Sequence, residues 1–228
     1  MLKKVEFVLL LMSLLITPSI VHSQTDDFGG IGSVSVSKNI GTFTSLSLEQ
    51  ELRMDRQLSS VSRSSTSVSA DFTIARRLLK AELDYILMYR RNSNERYEYR
   101  HRFTAGFVGQ YRIDRIALKL RTRGQATLRD EMRGDYGFNP KYVWRNRLAI
   151  EYNIRKSPFT PYISGEIFTP INGKQGFFMD SYRLVGGTEY KLSKKSSLDF
   201  QIRFDKDVQI AEPKSIIWGG IGWNYSFD

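Results

Sequence analysis

The 228-residue sequence predicts an all-β protein, a single antiparallel up-and-down barrel of the membrane type. Three observations carry that prediction. Apolar and polar residues alternate with period two through segment after segment, many of about ten residues, whereas soluble strands average roughly five or six. Tyr and Phe are abundant, at 12 and 14 copies. No apolar run beyond the first two dozen residues is long enough for a spanning helix, so a membrane would have to be crossed by strands.

The first residues set the compartment. Lys3 and Lys4 precede an apolar run from Phe7 to Ile20, and Val21-His22-Ser23 ends on a small residue before Gln24. Basic start, short apolar run and small-residue end read as a secretory signal peptide cut after Ser23, because the run is short for a membrane anchor. The expected mature domain is 24–228. Its net charge is +9, since Lys3, Lys4 and Glu6 leave with the signal. The chain has no cysteine, which excludes a lipidated N-terminal cysteine and any disulfide.

Each strand follows from its parity. Within 42–53, Thr44, Leu46, Leu48, Gln50 and Leu52 oppose Ser45, Ser47, Glu49, Glu51 and Arg53. Val68, Ala70 and Phe72 oppose Ser69 and Asp71; Leu83, Tyr85 and Leu87 oppose Glu82 and Asp84. Tyr97, Tyr99, Phe103 and Phe107 oppose Glu98, Arg100 and Arg102, and Leu118 and Leu120 oppose Lys119, Arg121 and Arg123. Tyr142, Trp144, Leu148 and Ile150 oppose Arg145, Arg147 and Glu151, while 161–169 alternates weakly, with Ile163 and Ile167 against Ser164 and Glu166. Tyr182, Leu184 and Tyr190 oppose Arg183 and Glu189, and Leu198, Phe200 and Ile202 oppose Asp199, Gln201 and Arg203. In a membrane barrel the apolar parity meets lipid and the charged parity meets the lumen. The charges named from Glu49 to Arg203 are therefore expected to point inward, where opposite signs pair and narrow the lumen. A soluble barrel has the reverse arrangement, and parity alone does not separate the two.

Counting 29–37 as the first strand gives eleven, but single-chain bacterial barrels carry even numbers. The expectation is twelve strands, with 57–62 supplying a short extra one; the alternative is ten, with 29–37 lying apart. Short turns carrying Lys or Arg alternate with longer loops at 54–64, 92–95, 130–140, 170–178 and 206–214, as when turns face the periplasm and loops face outward.

The chain ends on Gly220 followed by Trp223, Tyr225 and Phe227, then Asp228. Alternating terminal aromatics resemble the signal read by the barrel-assembly machinery, although that signal usually ends on the aromatic itself. Five stretches, in order, resemble the outer-membrane barrels of domain-of-unknown-function family 2490. They are Ser45 to Arg53, Tyr97 to Arg102, Arg145-Asn146-Arg147-Leu148 followed by Glu151-Tyr152, Thr160 to Ser164 with Glu166, and Arg183 before Gly187-Thr188-Glu189-Tyr190. The resemblance implies fold and location, with no activity and no residue roles.

Chemistry is sparse. After signal cleavage His101 is the lone histidine, on the apolar parity, and no serine lies in a Gly-x-Ser-x-Gly elbow. Asp130, Glu131 and Asp135 read as a solvated loop patch rather than a calcium site. Asn224-Tyr225-Ser226 matches a glycosylation acceptor by coincidence of a strand. Basic residues are dispersed over alternate strand positions, which speaks against nucleic acid. No enzyme activity, cofactor or metal is expected. The expected partners are outer-membrane lipids and the assembly machinery, and the expected roles are a narrow or plugged pore or a structural barrel in the outer membrane. The competing role is a lipid-modifying enzyme of deacylase or phospholipase type, using His101 to activate a serine.

Overall fold

Period-two alternation is satisfied only where both edges of every strand are paired and the two faces meet different surroundings, and a sheet closed on itself supplies both conditions. The computed structural model, which describes residues 26–132, 138–172, 178–208 and 213–227, is such a sheet. Its strands are β1 (Asp26–Ile40), β2 (Thr44–Asp55), β3 (Ser60–Ala75), β4 (Leu79–Arg91), β5 (Tyr97–Ile113), β6 (Ile116–Arg129), β7 (Lys141–Tyr152), β8 (Phe159–Pro170), β9 (Ser181–Lys191), β10 (Ser196–Asp207) and β11 (Ser215–Phe227). Each pairs with its sequence neighbours, and β1 closes on β11.

The described residues therefore form a closed barrel of eleven strands, not twelve and not ten. Residues 57–62 form no extra strand, because Arg56, Gln57 and Leu58 all adopt left-handed backbone (φ 52°, 57° and 67°) and reverse the chain directly into β3. The turn is held by the Arg56 amide donating to Asp27 at 3.0 Å and by the Gln57 amide donating to the Phe28 carbonyl at 3.0 Å. Nor does 29–37 lie apart. It sits inside β1, laddered to β2 on one side and to β11 on the other.

An odd count has one topological consequence. Ten successive antiparallel hairpins leave the first and last strands running the same way, so the seam between them is parallel, from Asp26↔Ser215 to Lys38↔Phe227. The start of β1 and the end of β11 thus stand at opposite ends of the barrel. The three longest connections, 130–140, 171–180 and 208–214, lie at the end where β1 starts; this is the loop end. Connections 41–43, 76–78, 114–115, 153–158 and 192–195 lie at the other, the turn end. At the seam Gly29 faces Trp218 across the ladder, and a Cβ on Gly29 would stand 2.4 Å from the Trp218 ring. Only glycine lets that indole fold over the backbone inside the barrel.

The two faces differ as strongly as a soluble protein's do, but with the sense inverted. Apolar side chains stand outside: Leu120 is 60% exposed and Ile202 68%. Inside, Met88 is fully buried and Ile31, Val143, Ala149 and Trp218 fill space between charged groups. Charged residues on the outward parity, among them Lys38, Arg91 and Lys206, stand near the strand ends.

Candidate functional site

The inner wall is built by alternation alone. On β6, Lys119, Arg121 and Arg123 project to one side and Leu118, Leu120 and Thr122 to the other; the neighbouring β7 sets Arg147 opposite Arg121 and Arg145 opposite Arg123. Like charges in directly opposed positions repel. Acids on other strands supply the balance, and they do so in separate clusters.

The densest cluster centres on Glu166 of β8, which is 3% exposed. It accepts from Arg121 at 3.0 Å, from Arg145 at 3.0 and 3.1 Å, and from Arg183 at 3.4 Å, so three strands converge on one carboxylate. Arg145 also donates to Gln125 at 3.0 Å, and the Phe168 ring lies 4.8 Å from its guanidinium carbon and 4.9 Å from that of Arg183. Arg183 and Arg203 both bind Asp205, through their Nε atoms at 2.7 and 2.9 Å. Paired, hydrogen-bonded charges of this kind are the ones an enclosed interior tolerates.

Smaller clusters surround it. Arg123 bridges Glu82 (Nε at 2.7 Å) and Asp84 at 2.9 Å. Lys119 meets Glu151 at 2.5 Å, near the turn end. Glu51 takes both Arg53, at 2.8 Å, and Arg63. Glu98, 1% exposed, binds Arg100 and accepts from Asn92 at 3.3 Å. Tyr162 reaches both oxygens of Asp199 at 3.0 Å, and Gly187 opposite makes room, since a Cβ there would stand 2.7 Å from the phenol. Asp71 stands across from Glu82, and Glu49 and Glu189 line the central space with Arg102 and Arg147. The charged residues singled out in the sequence, from Glu49 to Arg203, stand on this inner side. The space they leave is a cavity of about 1210 Å³ reaching the loop end, where Asp27, Asp55 and Asn92 join its lining.

Sequence parity set Glu166 among the inward charges without singling it out, although it anchors the interior together with Asp205, which shares the parity of Arg203. The signal for Glu166 was faint because the outward positions of β8 include Pro161 and Gly165 beside Ile163 and Ile167. Trp218 was missed as an inward side chain; its parity with Gly220, opposite that of Trp223, was the available signal.

The other marked residues lie elsewhere. Trp223, Tyr225 and Phe227 stand outside at the turn end, their rings 6.0 and 4.9 Å apart in succession, with Trp223 Nε1 donating to Ser196 at 2.8 Å. Gly220 faces inward against Gln201. His101 is outside too: its Nδ1 is 2.8 Å from the Tyr85 hydroxyl, and its cross-strand neighbours are Leu87 and Leu128. No serine therefore stands across the ladder from it. Glu131 is engaged by Asn139 at 2.9 Å and Asp130 by the Met132 amide at 3.0 Å, while Asp135 lies outside the described residues. No group of metal-ligating side chains occurs among the described residues.

A closed all-β barrel with charges on its inner wall and apolar residues on its outer wall is the class that this geometry defines. The chain belongs to the family described as protein of unknown function (DUF2490), whose sequence profile matches residues 29–212. No curated protein matches the chain significantly.

Proposed function

We propose that this chain is an exported outer-membrane β-barrel, without enzyme activity, whose salt-bridged lumen makes it a narrow or plugged pore or a structural barrel. The observation carrying the reading is the inverted wall: apolar outside, charged and paired inside. Lipid tolerates the first and a polar lumen requires the second.

Three details support it. Outward aromatics gather at both ends, with Tyr89, Tyr99, Tyr142 and Trp144 toward the loop end and Tyr111, Tyr152, Phe159 and Trp223 toward the turn end, as aromatic girdles at two interfaces would. Outward polar side chains between them are satisfied locally. Gln50 bonds Ser64 and Thr66 at 3.0 and 2.6 Å, and Trp144 Nε1 bonds Thr122 and Asn146 at 3.0 and 3.1 Å. Strands of 11 to 17 residues exceed the roughly 9–11 that a tilted strand needs to cross a bilayer. Export rests on residues 1–23, which lie outside the described residues. Lipids surround the wall in this reading, and the assembly machinery reads Trp223, Tyr225 and Phe227.

The test is fractionation followed by conductance. The protein should resist carbonate extraction, shift its gel mobility on boiling, and conduct weakly or not at all in planar bilayers. Replacing Arg121 and Arg123 by serine should raise conductance and weaken any anion preference, because Glu166, Glu82 and Asp84 lose cationic partners. Recovery as a soluble periplasmic monomer, or a wide wild-type pore indifferent to those substitutions, would overturn it.

A further inference from the structure

Charge is not balanced everywhere in the lumen. Across the row Arg53↔Arg63↔Arg90, three strands present arginines in direct register. Arg53 and Arg63 share one carboxylate, Glu51, and the Arg63 Nε is buried with no acceptor. Arg102, from β5, enters the same space. Its strongest electrostatic neighbours are the guanidiniums of Arg63, Arg145, Arg90 and Arg53, with no acid among them. Its Nε donates to the Thr127 hydroxyl at 3.2 Å, and among the described residues its two terminal nitrogens have no acceptor. Trp218 borders this band, with the Arg53 guanidinium 5.7 Å from its ring centre, and its buried Nε1 also has no acceptor.

An enclosed cation without a counter-charge is costly, and so is a buried donor without an acceptor. Here several occur together, all lining one cavity open to the loop end. The shared remedy is an oxyanion. Guanidinium forks present parallel donors that fit carboxylate and phosphoryl oxygens, and an indole N–H adds a neutral donor.

We propose that the lumen holds a binding site for a soluble oxyanion of two or more negative charges, centred on Arg102 and walled by Arg53, Arg63, Arg145 and Trp218. It deepens the constricted-pore reading by giving the lumen a ligand class: the anion completes the ion pairing that the protein leaves open. Phosphoryl and polycarboxylate anions share the chemistry, and two probes separate them.

The experiment uses purified full-length protein in zwitterionic detergent at low ionic strength, titrated calorimetrically with pyrophosphate and separately with citrate. At least one probe should bind, and Arg102→Gln should weaken it about tenfold or more, as expected for a charge-assisted donor. Lys119→Gln, near the turn end and paired with Glu151, should bind like wild type. Boiling-dependent gel migration establishes that each variant is folded. Wild-type tryptophan fluorescence should change on titration, and Trp218→Phe should abolish that change while Trp144 and Trp223 still emit; this readout stands even if Arg102→Gln does not assemble. Absence of binding by either probe, or equal binding by folded Arg102→Gln, overturns the proposal. Because the site is tested in detergent, that failure is separate from a failure of the membrane reading, which fractionation detects.

Discussion

Two regions of the same lumen handle arginine in opposite ways. Around Glu166 the guanidiniums of Arg121, Arg145 and Arg183 converge on one deeply buried carboxylate, and Asp205 takes up the remaining charge of Arg183 and Arg203. Around Arg102 the neighbours are the guanidiniums of Arg53, Arg63, Arg90 and Arg145, and on β2 Arg53 and Arg63 share the single carboxylate of Glu51, with Glu49 nearby. The first arrangement ties β6, β7, β8 and β9 together across the interior. The second contributes repulsion that the fold tolerates. The contrast teaches that inward charge is not a single property: where signs match locally it fastens the barrel, and where they do not it marks a place open to a ligand.

Substitutions of like kind should therefore give unlike results. Glu166→Gln takes the shared carboxylate from Arg121 and Arg145 and leaves Arg183 with Asp205 alone, and removing one partner of a buried pair typically costs about 3–5 kcal/mol. Its urea midpoint, followed by loss of the boiling-sensitive gel form, should fall sharply; an unchanged midpoint would show that the hub carries no structural weight. Tyr162→Phe deletes one hydrogen bond to Asp199 and should cost about 1 kcal/mol in the same assay. Arg102→Met should cost nothing, or raise the midpoint, because it removes a charge surrounded by like charges. A large loss there would erase the distinction between the two regions.

The sequence revealed the walls more readily than their closure. Alternation in 46–52, 79–91 and 116–129 is a local property, since each residue's face follows from its neighbours along the strand. Strand number is not local. It depended on whether Arg56-Gln57-Leu58 could reverse the chain without glycine, and on a parallel seam between Gly29–Lys38 and Trp218–Phe227 whose partners are almost 190 positions apart. The even-number rule for bacterial barrels pointed away from eleven. Within the interior, parity sorted charges by side but could not choose partners. Arg121 reaches past Arg147, its ladder neighbour, to Glu166 two strands away, and no pattern along β6 encodes that reach.

The central claim is that the apolar wall meets lipid while the charged wall meets water. The absence of cysteine from the chain makes a direct measurement clean. Single cysteines at Leu120 and Leu148, paired across β6 and β7 on the outer wall, and at Ala149 and Ser67 on the inner wall would each carry a nitroxide label in reconstituted vesicles. Collision with oxygen, which concentrates in lipid, should dominate at 120 and 148. Collision with a water-soluble nickel chelate should dominate at 149 and 67, to the extent that the narrow lumen admits it. Chelate-dominated collisions at 120 and 148 would contradict the account.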